Sequence, residues 1–229
     1  MMIGKIKKFN FKSLLTINTF ALIVTSYFFN NLILIGVFTL FFFITFLTTK
    51  NGLEITRKLN LLQNIRTEGP SNHSKKNDTP TMGGIFMIVP FLIFLLIISL
   101  SLSSLKLFLL FLIIFGFFII GFLDDYLSIK KKENTGLKTK EKFVLQSIIS
   151  IIFILFAYEK NFINPFITVS DSWEINMNIF ILPISFLVLV GISNSVNLTD
   201  GLDGLATGCS GIVFYGLGTE ILMKEQQEL

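Results

Sequence analysis

The stretch from Leu107 to Leu123 reads LFLLFLIIFGFFIIGFL and is followed at once by Asp124 and Asp125. Such an apolar run is close to the length of a membrane-spanning helix, which needs about 20 residues. A carboxylate at the edge of hydrocarbon loses hydration, and two neighbouring carboxylates disfavour each other's ionisation unless a cation lies nearby. The pair therefore either marks the exit of a helix from the membrane or belongs to a polar site at that border.

The composition is that of an integral membrane protein. Hydrophobic residues make up 52% of the chain and charged residues only 15%, whereas soluble domains carry about 25% charged residues. The chain has one cysteine, Cys209, and one histidine, His73, which excludes an intramolecular disulfide and leaves too few soft ligands for a zinc site. A bound metal would therefore be a hard ion held by oxygen atoms.

The apolar segments predict an all-α fold, a polytopic transmembrane helical bundle of about six spans in one integral membrane domain, residues 1–229. The spans are expected near 32–48, 82–101, 105–123, 143–158, 177–195 and 204–222, with polar loops at 49–81, 124–142 and 196–203. Residues 14–29 are expected either to span the membrane or to lie in its interface. Lys142 and Lys160 are expected to extend toward the interface at the ends of the short fourth span.

The distribution of positive charge predicts the orientation of this bundle. Loops 49–81 and 124–142 are the two richest in Lys and Arg, and the positive-inside rule assigns them to the cytosol. With six spans, loop 196–203 with Asp200 and Asp203 falls on the same side. The formal charge of +4 is modest and is gathered in loops, so no nucleic-acid partner is expected.

Three polar motifs are expected on the cytosolic side, and together they predict a type of reaction. They are the basic loop that ends at Gly83 and Gly84, the aspartate pair with the basic loop after it, and the segment with Asp200 and Asp203. Successive helical residues point about 100° apart, so one of Asp124 and Asp125 can face a site while the other faces its neighbours. Carboxylates for magnesium, lysines for phosphates and a site next to lipid predict phosphoryl transfer from a soluble nucleotide to a membrane-borne acceptor. The sequence has no Walker-type glycine loop, so a reaction driven by ATP is not predicted.

These motifs closely resemble those of a known family. They are Thr79–Gly84 (TPTMGG), Gly121–Tyr126 (GFLDDY) and Asn197–Ala206 (NLTDGLDGLA). In order and spacing they resemble the phospho-N-acetylmuramoyl-pentapeptide-transferase family of the polyprenyl-phosphate hexosamine-1-phosphate transferases. The resemblance implies transfer of phospho-MurNAc-pentapeptide from UDP-MurNAc-pentapeptide to undecaprenyl phosphate, with Mg2+ as cofactor, giving lipid I and UMP for peptidoglycan synthesis. It also implies the bacterial cytoplasmic (inner) membrane, and a homodimer is left open.

The resemblance also assigns residues. It implies that Asp124 and Asp125 are catalytic, and that these two and Asp200 hold the metal. The substrate-binding residues that it implies are Lys76, Thr79, Lys132, Lys140, Asn197, Asp200 and Asp203. His73 matches a family histidine and is expected to have a structural role.

The chain also departs from the family pattern. Asp78 stands where the family usually has Gly, and Ser128 stands where a Lys is common. Members of the family continue to a later metal-binding aspartate and a cluster of histidines. The chain is therefore expected to be C-terminally truncated, with a further metal ligand beyond residue 229 and an uncertain activity of its own.

Three alternatives stay open. A transferase that moves GlcNAc-1-phosphate from UDP-GlcNAc to the same polyprenyl phosphate is the nearest one, although the TMGG string favours the muramoyl branch. A cation-coupled transporter would use intramembrane carboxylates, but the acids here lie at helix ends. A non-catalytic membrane scaffold is the third, because a truncated enzyme can lose its activity and keep its fold.

Overall fold

The structure, a computed structural model, describes residues 32–61, 80–131, 136–170, 173–200 and 205–227. In these ranges the chain forms six α-helices and one β-hairpin. The helices are α1 (Leu32–Lys58), α2 (Gly84–Ser101), α3 (Leu105–Lys131), α4 (Thr139–Glu159), α5 (Ile181–Thr199) and α6 (Leu205–Gln227). Between α4 and α5 lie β1 (Phe166–Ser170), β2 (Trp173–Asn176) and a 3-10 turn (Asn178–Phe180).

Four segments of the described chain are long and apolar enough to cross a membrane, namely Gly84–Ser101, Leu105–Lys131, Thr139–Glu159 and Asn178–Thr199. Large apolar side chains such as Ile152 are exposed on them, as expected where lipid surrounds the helices. The prediction of an all-α polytopic membrane bundle is confirmed. The spans expected near 32–48 and 204–222 fall in α1 and α6, which lie partly outside the described side chains, and they stay predictions.

Contacts divide the chain into two units. The first comprises residues 1–44 and 215–229, and its described part is the beginning of α1 and the end of α6. The second comprises residues 45–214 and contains α2 to α5 with every polar contact discussed below. The organisation of the whole chain as one domain stays a prediction.

Within the second unit the helices pack in chain order. Helix α2 contacts α3, α3 contacts α4, and α4 contacts α5. The connections from α2 to α3 and from α3 to α4 are short, which makes the helices they join neighbours. The α3–α4 contact is close at Gly116, where an added Cβ would lie 3.0 Å from Cγ2 of Ile149. Small residues at such contacts let two helix backbones approach each other, which is a main source of association in lipid.

The helices extend beyond the apolar runs from which they are predicted. Helix α3 continues past Leu123 through both aspartates to Lys131. No glycine or proline occurs between Gly121 and Gly136, so nothing breaks the helix where it leaves the apolar region. Lys130 and Lys131 in its last turn also suit the negative end of the helix dipole. The aspartate pair thus lies on a rigid helical turn, inside the segment expected to be loop 124–142.

The connection after α4 forms a hairpin that the sequence analysis does not predict. Phe166 pairs with Asn176, and Ile167 pairs with Ile175, in an antiparallel register. β-Branched residues such as Ile167 and Val169 favour strands, but the segment is too short for a clear alternation of polar and apolar residues.

The close α3–α4 contact can be tested by filling it. We expect Gly116→Leu to lower the thermal unfolding temperature in detergent by about 5 °C, because overpacking a helix contact forces the neighbouring side chain out of place. The measurement is size-exclusion chromatography of the heated protein. Gly191→Leu is the matched control, since a Cβ at Gly191 meets nothing within 4 Å. Restoration of stability by Ile149→Ala in the Gly116→Leu variant is expected, and its failure would contradict this contact.

Candidate functional site

Asp124, near the C-terminal end of α3, has both carboxylate oxygens in use. Its Oδ2 accepts a hydrogen bond from Lys142 Nζ at 2.9 Å, and the two form an ion pair. Its Oδ1 accepts a hydrogen bond from the backbone N–H of Leu137 at 2.9 Å. The side chains of Lys142 and Asp124 are 17% and 27% exposed, so water screens this pair less than it screens a surface ion pair. Asp124 is therefore held in one orientation.

Lys142 joins three helices. It lies near the N-terminal end of α4, and its ammonium also donates to Asn197 Oδ1 on α5 at 3.1 Å. A cation at a helix N-terminus is opposed by the helix dipole, so the oxygens of Asp124 and Asn197 compensate for its placement. Lys142 is not among the predicted site residues, because the sequence analysis assigned it only to the membrane interface. The sequence feature that could have indicated a site residue is the charge of Lys142 at the start of an apolar span.

Gly136 and Leu137, in the described part of the connection to α4, lie against Asp124. The carbonyl oxygen of Gly136 accepts a hydrogen bond from Lys131 Nζ at 2.6 Å. Gly136 is buried, and an added Cβ would overlap the backbone carbonyl group of Asp124. Only glycine allows this close approach of backbones. The approach is what brings the N–H of Leu137 to the Asp124 carboxylate.

Asp125 contacts a different part of the chain. Its carboxylate accepts a hydrogen bond from the backbone N–H of Met82, in the turn that precedes α2. Met82 is 7% exposed and has a φ of 65°, in the left-handed region that is strained for a residue other than glycine. The adjacent carboxylates therefore tie separate segments to α3: Asp124 holds α4 and the Gly136 turn, and Asp125 holds the turn at Met82.

The remaining described site residues lie around this centre. Asn197 is on the last turns of α5, and Asp200 follows that helix, where its backbone N–H donates to Val196 O at 3.1 Å. Lys140 is exposed in the first turn of α4. The structure brings Asn197 to Asp124 through Lys142, and it places Lys140 and Asp200 at the adjoining helix ends without a hydrogen bond to the Asp124 carboxylate. The predicted residues Lys76, Thr79, Lys132 and Asp203, together with His73, lie outside the described residues.

The described residues around this centre include oxygen donors of the kind that a hard cation prefers. In the described part of the chain, no three Asp, Glu, His or Cys side chains form a group that could hold a metal ion. The oxygens of Asp124, Asp125 and Asn197 are the carboxylate and amide ligands typical of Mg2+. The Lys142 ammonium lies between Asp124 Oδ2 and Asn197 Oδ1, so these oxygens already favour a positive charge.

A second polar cluster lies one helical turn from Lys142, and we call Gln146, Ser193 and Asn194 the polar clamp. Gln146 on α4 is 1% exposed. Its Nε2 donates to Ser193 Oγ at 3.1 Å, and its Oε1 accepts from Asn194 Nδ2 at 2.8 Å. Asn194 also donates to Val190 O at 2.8 Å. A buried amide is costly unless both ends are hydrogen-bonded, and here both are. The sequence analysis missed this cluster, although a Gln within an apolar span is a signal of it.

Comparison with known proteins gives the family. The model of glycosyl transferase family 4 matches residues 107–229, which include α3, α4, α5 and the polar centre. The chain belongs to glycosyl transferase family 4. Signature 1 of phospho-N-acetylmuramoyl-pentapeptide-transferases also matches residues 76–88. The described part of that signature contains the Met82 turn, so the signature is joined by a hydrogen bond to the Asp125 carboxylate.

Individual members of the family are similar over most or all of the chain. Phospho-N-acetylmuramoyl-pentapeptide-transferases of Prochlorococcus marinus strains MIT 9312 and MED4 are 82% and 57% identical, each over 100% of this chain and 64% of its own length. The transferase of Listeria innocua serovar 6a is 39% identical over 86% of this chain and 61% of its own length. The resemblance drawn from the three motifs is confirmed, and the chain spans about two thirds or less of the length of these relatives.

The close approach at Gly136 predicts a measurable protection of Leu137. We expect Gly136→Ala to speed amide hydrogen exchange at Leu137 by about tenfold or more, because the added methyl group moves the turn away from the Asp124 carboxylate. Exchange is measured by mass spectrometry of the detergent-solubilised protein. Gly83→Ala is the control, since a Cβ at Gly83 meets nothing within 4 Å. Unchanged exchange in the Gly136→Ala protein would contradict the described turn.

Proposed function

We propose that the protein transfers phospho-MurNAc-pentapeptide from UDP-MurNAc-pentapeptide to undecaprenyl phosphate, which gives lipid I and UMP. The observation that carries the proposal is the centre formed by Asp124, Lys142 and Asn197 at the ends of three apolar helices. The relatives named above are transferases of this name, and they match the segments that build the centre. The signature at residues 76–88 favours a muramoyl donor over a GlcNAc donor, and a donor-competition assay separates the two.

The position of the centre supports a lipid acceptor and a soluble donor. Asp124 and Asp125 lie on the part of α3 that follows its apolar run, so a phosphate at the membrane surface can reach them while its polyprenyl chain stays among the apolar helices. The lysines of the adjoining segments offer charge for the donor's phosphates. We assign this face to the cytosol, where nucleotide-linked sugars are found, and the membrane to the bacterial cytoplasmic membrane.

The reaction exchanges one phosphoanhydride bond for another. An oxygen of the lipid phosphate forms a bond to the sugar-linked phosphorus of the donor. The bond from that phosphorus to the bridging oxygen breaks, and UMP leaves with the electron pair. Such a transfer depends on positioning and on charge neutralisation more than on covalent chemistry by the protein.

The residues of the centre have distinct tasks in this scheme. Lys142 and the N–H of Leu137 orient Asp124, and the N–H of Met82 orients Asp125. One of the two aspartates takes the proton of the lipid phosphate where that phosphate is protonated. The family resemblance assigns Asp124, Asp125 and Asp200 to Mg2+, with one aspartate of the adjacent pair nearer the ion than the other. The ion, when bound, would neutralise phosphate charge. Lys140, Asn197 and the residues Lys76, Thr79, Lys132 and Asp203 are assigned to substrate binding.

Removing either carboxylate should abolish transfer. We expect Asp124→Asn and Asp125→Asn to lower kcat by about 100-fold or more, the usual cost of losing one group that stabilises charge in a transition state. Formation of lipid I from radiolabelled donor is measured for this chain, and in parallel for the 82% identical relative with substitutions at the aligned positions.

Glu159→Gln is the matched control for these variants. It makes the same change from carboxylate to amide at the opposite end of α4, where Glu159 is exposed and paired with Lys160. Full turnover by Asp124→Asn and Asp125→Asn in the relative would exclude the proposed chemistry. Turnover by the relative alone would restrict the proposal to the longer protein.

Chelation should stop the reaction reversibly. We expect EDTA to remove lipid I formation and added Mg2+ to restore it, because the phosphate charges then lose and regain their neutralising cation. A second readout is the unfolding temperature, which Mg2+ should raise in the unsubstituted protein and raise less in Asp124→Asn. Transfer at full rate in EDTA would contradict the metal assignment and leave the roles of the aspartates to be tested separately.

The other functions weighed from the sequence receive less support. Every relative named above bears the name of a transferase, which favours neither a cation-coupled transporter nor a scaffold. Ion uptake into proteoliposomes without nucleotide would favour the transporter. Growth of a transferase-depleted strain on this chain alone would exclude the scaffold. A homodimer stays a prediction that size-exclusion chromatography with light scattering tests.

A further inference from the structure

We propose that Gln146 is a positioning residue, which through Ser193 and Asn194 sets the register of α4 against α5 that lets Lys142 bridge Asp124 and Asn197. The proposal has a structural part, the placement of the Lys142 ammonium, that is independent of any reaction. Its effect on catalysis rests on the proposed function.

The clamp and the centre occupy the same faces of the two helices. Gln146 follows Lys142 by four residues on α4, and Asn197 follows Ser193 by four residues on α5. Residues four apart in a helix lie above one another on one face. The two interhelical contacts, Lys142 with Asn197 and Gln146 with Ser193, are therefore consecutive rungs about 5.4 Å apart along the helix pair.

The hydrogen bonds of the clamp allow one register. Gln146 donates to one residue of α5 and accepts from the next, with both atoms of its amide in use. A slip of α4 by one residue would shift it about 1.5 Å and turn its side chains by about 100° relative to α5. Both bonds would break, and Gln146 is buried at 1% exposure, where water does not replace them. Apolar contacts alone tolerate small rotations and slips, so the clamp supplies a constraint that the surrounding Ile, Leu and Val side chains do not.

The constraint is needed because the next rung is held by a flexible side chain. A lysine side chain is a flexible stem of four carbons, so its ammonium group can reach many positions. Lys142 contacts Asp124 and Asn197 together only if the start of α4 lies between α3 and α5 at the correct height. The polar clamp fixes the position of α4 along α5. The close contact of Gly116 with Ile149 fixes α4 against α3.

The chain offers a matched control one rung deeper. Ser150 follows Gln146 by four residues, is fully buried, and its hydroxyl has no hydrogen-bond partner among the described residues. Substitution there changes a buried polar group on the same helix face and breaks no hydrogen bond to α5. Ser150→Ala thus separates a specific effect of the clamp from a general effect of altering this helix.

The test measures the chemical reactivity of Lys142 in the full chain in detergent. The protein is labelled briefly with an amine-reactive ester, and modification of each lysine is measured by mass spectrometry after digestion. Lys160, which is 41% exposed, is the internal reference at the other end of α4. We expect Lys142, at 17% exposure, to react slowly in the unsubstituted protein and about fivefold faster in Gln146→Leu, because release from Asp124 and Asn197 exposes the amine.

A milder variant keeps the test decisive if Gln146→Leu does not fold. Ser193→Ala removes one hydrogen bond of the clamp and leaves the volume nearly unchanged, and we expect it to speed Lys142 labelling about twofold. Ser150→Ala should leave labelling unchanged. Equal labelling of Lys142 in the unsubstituted protein and in folded Gln146→Leu or Ser193→Ala would overturn the proposal. Equal acceleration by Ser150→Ala would overturn it too.

Kinetics of the 82% identical relative, substituted at the aligned position, test the catalytic part. We expect loss of the clamp to lower kcat about tenfold and to leave KM within about twofold, since misplacement of a catalytic group by about 1 Å costs rate more than binding. Faster labelling with an unchanged kcat would overturn the positioning role. Faster labelling of Lys142 in Gln146→Leu, with no lipid I made by either the unsubstituted chain or the relative, would support the register and contradict the proposed function.

Discussion

The polar end of this protein depends on the placement of a single ammonium group. Lys142 Nζ is shared by a carboxylate on α3 and an amide on α5, and its own helix lies between them. Without a positive charge at this point, Asp124 would lie partly buried beside a second carboxylate, which is unfavourable for two like charges at the edge of hydrocarbon. The ammonium group joins α3, α4 and α5 at their polar ends, beyond the apolar segments that pack in lipid. The contact therefore combines a structural and an electrostatic task.

The hydrogen bonds of the aspartate pair explain why two adjacent carboxylates are used in different ways. Each residue on a helix turns about 100° from the one before it, so Asp124 and Asp125 cannot present matched oxygens to one ligand from the same direction. Asp124 orders the turn at Gly136 and the start of α4, while Asp125 orders the turn at Met82. Two turns distant in sequence, at Met82 and at Gly136, are thus brought to the same end of α3.

Much of this architecture could be predicted from the sequence because its causes are local. Runs of apolar residues of membrane length predict helices, and the divergence of the aspartates follows from helical geometry alone. The extension of α3 to Lys131 was missed because the boundary was placed where hydrophobicity ends, whereas a helix ends where a residue breaks it. Lys142 and Gln146 were missed for another reason. Their partners on α5 lie 47 to 55 residues away in the chain, and no local pattern of charge or hydrophobicity encodes which helix faces which. The assignments of Asp200, Lys140 and the residues outside the described part of the chain still depend on the family resemblance.

The polar clamp has a consequence for how the protein enters the membrane. Helices α4 and α5 each carry amide groups within an apolar segment, and in isolation each would place those groups in lipid without a partner, which opposes insertion. Side by side, Gln146 and Asn194 satisfy each other. The two helices therefore have reason to insert as a pair, with the β1–β2 hairpin in the connection between them. The groups that align the centre in the finished protein would then already act during biogenesis, by making one helix the preferred environment of the other.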